Sequence, residues 1–290
     1  MTALDRLLAL LDLEPLEQNL FRGQSQSPFG AKRVFGGQVL AQALIAAGRT
    51  VEEERRCHSL HAYFILPGDA SAPIVYQVET LRDGGSFTTR RVTAIQHGRP
   101  IFNAALSFHR EEEGLDHAVP MPPAPEPESV TSEDELARRI ADRIPERLRE
   151  ALTGERAIDY RPVDPIDPFD PAPTEARLKV WVKSNGGLAE DPLIHQAVLA
   201  YASDYGLLGT ALRPHARSFM DPQIMAASLD HAMWFHRPFR ADAPLLFAMD
   251  SPSAAGARAF ARGTVHNREG RLVASVAQEG LVRLVARSEP

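Results

Sequence analysis

Val39-Leu40-Ala41-Gln42-Ala43 recurs as Val198-Leu199-Ala200-Tyr201-Ala202 in this chain of 290 residues. Outward from that pair, His61-Ala62-Tyr63-Phe64 with Pro67 recurs as His231-Ala232-Met233-Trp234 with Pro238, and Gly98-Arg99 recurs as Gly270-Arg271. The order is kept and the offsets drift by amounts that loop insertions absorb, as expected of two structural units of one architecture. Laid on one another, the copies differ in chemistry at three places: Asp204 falls over Ile45, Ser228 over His58 and Gln278 over Leu106. That asymmetry marks where chemistry is to be sought.

Composition sets the bounds. With 44% hydrophobic and 24% charged residues the chain reads as soluble and globular, long enough for two ordinary domains. Its apolar runs fall short of the roughly 18 residues of a membrane span, and its start lacks the pattern of a secretory signal, so a cytoplasmic location is expected. A single cysteine, Cys57, excludes an internal disulfide and a multi-cysteine metal site. The terminal Arg287-Ser288-Glu289-Pro290 is not a peroxisomal address of the Ser-Lys-Leu kind. A net charge of -6 without a basic stripe argues against a nucleic-acid partner, and any anionic ligand must be held by local arginines.

The periodicities predict an α+β chain. After a leucine-rich helix at the start, residues 38–47 read as a helix ended by Gly48, and strands follow over 58–66, 74–81, 87–96 and 101–108. Short connections make that sheet antiparallel. Residues 116–174 form a Pro-rich linker containing one helix over 132–152, begun by Ser132 and Glu135 in capping-box spacing. The chain thus divides into a first repeat, 1–115, the linker, and a second repeat, 175–290, that carries the distinctive residues. In the second repeat the pattern predicts a strand over 177–183, a helix over 193–208, strands over 228–236 and 245–250, and a hairpin over 259–284 turning at 267–270.

Asp204 stands at helical spacing from Ala197, Ala200, Tyr201, Leu207 and Leu208, which places its carboxylate on the apolar stripe. Buried charges persist only when paired or hydrogen-bonded, so it serves either a structural network or chemistry. Gln278 shares a strand face with Leu272, Ala274, Val276, Val282 and Leu284 and points inward, where its amide needs partners. Ser228 is commonplace alone and notable only with the other two. Other chemistries lack support. Gly-x-Ser-x-Gly, P-loop and Gly-x-Gly-x-x-Gly motifs are missing, the histidines of 230–236 and of 58–61 alternate faces, and Arg90-Arg91 reads as a solvated pair.

Longer blocks carry a resemblance. Phe21-Arg22-Gly23-Gln24, Val34-Phe35-Gly36-Gly37-Gln38-Val39, His58-Ser59-Leu60-His61 with Leu66-Pro67-Gly68-Asp69, Ser86-Phe87 with Arg90-Arg91-Val92, and Asp230-His231 with Met233-Trp234-Phe235-His236-Arg237-Pro238 strongly resemble the acyl-CoA thioesterase II family. The resemblance implies a double hotdog fold, hydrolysis of fatty acyl-CoA to free acid and CoA, and association as a homodimer or homotetramer. It also implies a catalytic set at Asp204, Ser228 and Gln278, with Ser228 standing where many relatives carry threonine. The expected mechanism has Asp204 take a proton from a water that Ser228 and Gln278 hold, with no cofactor and no metal. Backbone amides at Gly36-Gly37 are the expected oxyanion donors. Attack by Asp204 to form an anhydride is the competing mechanism, and an acyl-CoA-binding or scaffold protein without activity is the competing function.

Overall fold

The computed structural model describes residues 1–26 and 32–285; the terminal tetrapeptide read above lies outside the described residues. Thr2 opens the first helix, α1 (Ala3–Leu11), with a complete capping box to Asp5, and Leu4, Leu7 and Leu11 turn into the core. Two strands too short for alternation to reveal, β1 (Glu14–Glu17) and β2 (Leu20–Gly23), pair with each other. Next comes α2 (Gly36–Gly48), buried continuously from Gly37 to Ala47. A helix that is mostly apolar all round belongs inside the molecule. Its polar Gln42 is satisfied there, donating to Leu10 O at 2.7 Å and accepting from Tyr76 Oη at 2.7 Å. The strands β3 (Arg55–Phe64), β4 (Ile74–Asp83), β5 (Phe87–Gln96) and β6 (Arg99–Arg110) lie where the periodicity puts them, within three residues at each end, and Phe102, Ala104, Leu106 and Phe108 of β6 all face inward.

The segment between the repeats is more structured than its prolines suggest. Ser132 caps as expected, but the single helix read over 132–152 is two, α3 (Glu133–Arg139) and α4 (Glu146–Thr153), with Pro145 as the second one's N-cap. Proline lacks the N–H that a continuing helix needs and clashes with the preceding turn, so the helix breaks there. After it, β7 (Ile158–Pro162) pairs along β8 (Arg177–Ser184). The proline stretch itself is pinned to β8, since Trp181 Nε1 donates to Pro125 O at 2.9 Å and Lys179 Nζ to Pro123 O at 2.8 Å.

The helix predicted over 193–208 is also two, α5 (Pro192–Ser203) and α6 (Leu207–Leu212), because Gly206 turns into the left-handed region at φ 91°. The strand predicted over 228–236 is divided at Leu229 into β9 (Ile224–Ser228) and β10 (Asp230–Phe235). The chain ends in β11 (Leu245–Ala255), β12 (Arg258–Asn267) and β13 (Leu272–Leu284).

Among the described residues these strands form one antiparallel sheet in the order β1-β2-β4-β5-β6-β3-β10-β13-β12-β11-β8-β7, with β9 beside β13. The order is a palindrome about the β3–β10 seam, where Ala62 lies opposite His231 and Leu60 opposite Met233. Each half runs helix, two strands, long helix, then the remaining strands, so α4 and β7 hold in the second half the places of α1 and β1. The first half-sheet packs on α2, the strands β11, β12 and β13 of the second pack on α6, and α2 and α5 pack on each other: this is the double hotdog architecture that the resemblance implies.

Strand pairing also tests the repeat alignment. Leu106 and Gln278 occupy matching inward positions, opposite Arg90 and Ala261 respectively. Two residues further on, Phe108 pairs with Cys57 and Gly280 with Ser228, so Ser228 lies over Cys57 rather than His58. The slip runs along the whole strand: His61 pairs with Ala105 and Ala232 with Ala277, so His61 lies over Ala232 and not over His231, and the irregularity between Cys57 and Ser59 has its match in the break at Leu229. By the helix ends, Asp204 is the C-cap of α5 as Arg49 is of α2, so its counterpart is not Ile45.

The glycine pair at the start of α2 is required by close approach. A Cβ on Gly37 would stand 2.3 Å from Tyr201 O, and one on Gly36 would stand 2.6 Å from Asp204 Oδ2. Backbone cannot yield as a flexible side chain does, so Gly37→Ala is expected to destabilise the fold by about 1–3 kcal/mol. Gly187→Ala, whose Cβ meets nothing within 4 Å, is expected to stay within about 0.5 kcal/mol of the parent in the same denaturant titration.

Candidate active site

Three elements deliver the three residues. Asp204 caps the C-terminus of α5, Ser228 is the last residue of β9, and Gln278 is an inward position of β13, the strand that β9 pairs with. Asp204 therefore lies at the helix end and not mid-stripe: Leu207 and Leu208 belong to α6, beyond the break. Ser228 ends a strand where the sequence reading had it begin one. Gln278 is 1% exposed, as its place among aliphatic neighbours required.

The three side chains meet in a triangle. Ser228 Oγ donates to Asp204 Oδ1 at 3.1 Å, and Gln278 Nε2 lies 2.6 Å from Asp204 Oδ1 and 3.0 Å from Ser228 Oγ. This geometry fixes the protons. Turned the other way, the Gln278 amide would set its carbonyl oxygen against the carboxylate, so its nitrogen faces in and donates to both partners. The hydroxyl of Ser228, accepting from Gln278, then has its own proton free for Asp204. Gln278 Oε1 is left as a buried acceptor without a partner among the described residues.

A further donor to Asp204 is the Gly37 backbone N–H at the start of α2. Sequence reasoning places the Gly36-Gly37 amides as oxyanion donors; the Gly37 amide lies toward Asp204, the residue it was expected to face across the site. The signal was present in the glycine pair itself, since only residues without Cβ admit the end of α5 so near. The donors reaching Asp204 are neutral. Desolvation outweighs the hydrogen bonds from Gln278, Ser228 and Gly37 and pushes its pKa from 3.8 up to about 6.

The other residues weighed in the sequence have structural places. His231 is fully buried, 2.9 Å from Ser203 Oγ, and burial holds its pKa down to about 3, so it is neutral. His58 pairs with Ser107 Oγ at 2.8 Å, and His61 meets Trp234 edge to face at 5.1 Å. Arg90 is not solvated: it is 3% exposed and bound to Asp83 and Thr50, whereas Arg91 lies outside with Glu79. Among the described residues no group of three or more His, Cys, Asp or Glu gathers as a metal site would, and no helix is long and apolar enough to cross a membrane.

Comparison with known proteins gives the family. Residues 150–281 match the family described as acyl-CoA thioesterase, and residues 25–109 match the acyl-CoA thioesterase N-terminal domain. The acyl-CoA thioesterase 2 of Haemophilus influenzae is 41% identical over 280 residues, covering 97% of this chain and 98% of its own. The crystal structure of an acyl-CoA thioesterase II from Mycobacterium marinum superposes with a TM-score of 0.79 at 40% identity, over 98% of this chain and all of that one. A protein of unknown function with a hot dog fold from Alicyclobacillus acidocaldarius, 18% identical, has a TM-score of 0.78 over 97% of this chain and 99% of its own, and supports the fold alone. With identity of this order running nearly end to end, and both halves matched in sequence, the chain belongs to the acyl-CoA thioesterase family.

Proposed function

We propose that the protein hydrolyses fatty acyl-CoA thioesters, with Asp204 as general base and Ser228 and Gln278 holding it and its water. The observation that carries this reading is a carboxylate with no cationic partner among the described residues, fixed by Ser228 and Gln278, whose pKa of about 6 suits proton transfer near neutral pH. Water bound to Asp204 loses its proton as it attacks the thioester carbonyl, and the protonated Asp204 returns that proton to the departing CoA thiolate. No enzyme-bound intermediate and no cofactor is needed. Two donors on Oδ1 restrain the carboxylate, which suits a base better than a nucleophile that must swing onto carbon. The first test is release of free thiol from palmitoyl-CoA, read with a thiol reagent; binding without thiol release would mark the protein as a carrier.

The same proposal covers organisation and setting. The two repeats, 1–115 and 175–290, act as one unit with residues 116–174 between them, and copies associate as a homodimer or homotetramer in the cytoplasm. Supporting association, Tyr63 stands 62% exposed on the outer face of β3, beside the seam of the sheet.

Asp204→Asn is expected to lower kcat by at least about 10²- to 10⁴-fold while acyl-CoA still binds. It is also expected to change stability in a pH-dependent way. Folding raises the Asp204 pKa, so between about pH 4 and pH 6 the folded chain keeps a proton that the unfolded chain releases. Stability is therefore lost as pH rises through that window and stays lost above it, by about 3 kcal/mol at most. The melting temperature of Asp204→Asn should exceed the parent's at pH 8, with the gap closing below pH 4; no gap at pH 8 would show that the carboxylate is not under strain.

Gln278→Leu installs what the first half carries at Leu106, and it removes a buried acceptor without a partner. We expect a folded protein of equal or higher melting temperature that has lost turnover. A collapse in melting temperature alongside the rate would assign Gln278 to the framework.

A further inference from the structure

Tyr205 follows Asp204 directly, inside the break between α5 and α6. The backbone of that break is lightly held: Tyr205 N–H donates to Ala202 O at 3.2 Å, and Gly206 sits at φ 91°. Its firm anchor is the tyrosine side chain. The ring packs on Tyr160 of β7 with centroids 4.3 Å apart, and the hydroxyl donates to Glu133 Oε1 at 2.5 Å. Glu133 Oε2 accepts from Arg156 Nη1 at 3.0 Å, Arg156 Nε stands 3.0 Å from Asp134 Oδ1, and Arg156 Nη2 donates to Leu152 O at 3.2 Å.

Three segments distant in sequence converge here: the first turn of α3, the end of α4 and the break beside Asp204. The Arg156 side chain is only 11% exposed, so this is a node held away from water, unlike the mobile ion pairs of a surface. Burial and the charge of Glu133 push the Tyr205 hydroxyl far above its ordinary range, which keeps it a donor. Glu133 and Asp134 lie between the stretches that match the family, which stop at residue 109 and resume at 150. The brace thus joins residues of the second matched stretch to a segment that lies between the two.

We propose that Tyr205 and Glu133 are positioning residues that hold the Asp204 carboxylate against Gly37, Ser228 and Gln278. Its effect on turnover rests on the hydrolase reading above. Asp204 and Tyr205 share a peptide unit, so a rotation that frees the tyrosine moves the carboxylate, and a misplacement near 1 Å can cost about 10²-fold in rate.

Tyr205→Phe tests this with little disturbance, because the ring keeps its place on Tyr160 and only the hydroxyl is lost. The expected result with palmitoyl-CoA is a fall in kcat of about ten- to a hundredfold at unchanged KM. The acid limb of the pH profile should also move down, since water admitted at Asp204 relieves the desolvation that raises it. Glu133→Ala should match Tyr205→Phe, and the double variant should be no worse than either, as for two ends of one contact. A parental kcat and acid limb in folded Tyr205→Phe overturns the proposal. So does a lower melting temperature with an unchanged rate per folded molecule, or a double variant whose losses add. Following the Asp204 titration by carboxyl-carbon NMR without substrate separates the two readings. A parent that does not hydrolyse palmitoyl-CoA, but whose Asp204 titration drops in Tyr205→Phe, sinks the hydrolase reading and keeps the brace.

Discussion

An ionised carboxylate with no cation beside it, as Asp204 is among the described residues, must be supported by dipoles, and the structure around it can be read as the means of supplying them. The start of α2 is brought against the end of α5 closely enough for the Gly37 amide to reach the carboxylate, which is why two glycines open that helix. From the other side β13 and β9 are registered so that Gln278 and Ser228 converge on one oxygen. Each donor comes from a different part of the chain: the sheet fixes Ser228 and Gln278, and the start of α2 fixes Gly37. Desolvation still outweighs their support, and that residual strain leaves the group basic enough to take a proton.

The first half shows the same architecture without this demand. Where Gln278 and Ser228 stand in one half, Leu106 and Cys57 stand in the other, both about as dry as core residues can be. Opposite Leu106 the first half carries Arg90, bound by Asp83 and by the side chain and carbonyl of Thr50, where the second half has Ala261. One copy fills the position with satisfied structural groups, and the other leaves a polar centre that packing alone does not explain. Chemical asymmetry on a symmetric scaffold is therefore a better guide to function than any single polar residue.

Much of the framework was legible because its signals are local. Leu106 and its neighbours on β6 alternate as a half-buried strand must, and the apolar run after Gly37 can only be an interior helix. The misreadings are local too, at Pro145 and Gly206, single residues that end helices whose hydrophobic spacing continues past them. What sequence could not show is long-range geometry: that the Gly37 amide points at Asp204, or that Arg156 and Glu133 meet Tyr205. Those contacts follow from the packing of segments whose separation carries no periodicity. The Ser228 alignment failed by one residue for a related reason, because matching His61 to His231 by identity sets the two strands one residue out of the phase that their pairing to β6 and β13 fixes.

The β3–β10 seam has a consequence for how the molecule is made. Its two strands come from opposite ends of the sequence, so each half leaves the ribosome with an unpaired inner edge that stays open until the other half arrives. An exposed edge of that length is a template for wrong partners, including the same edge on a second nascent chain. Closing the seam also brings together residues far apart along the chain, a slow step for any sheet protein. Correct assembly is thus a race between an intramolecular docking and an intermolecular exchange of halves, one that dilution favours and crowded synthesis does not.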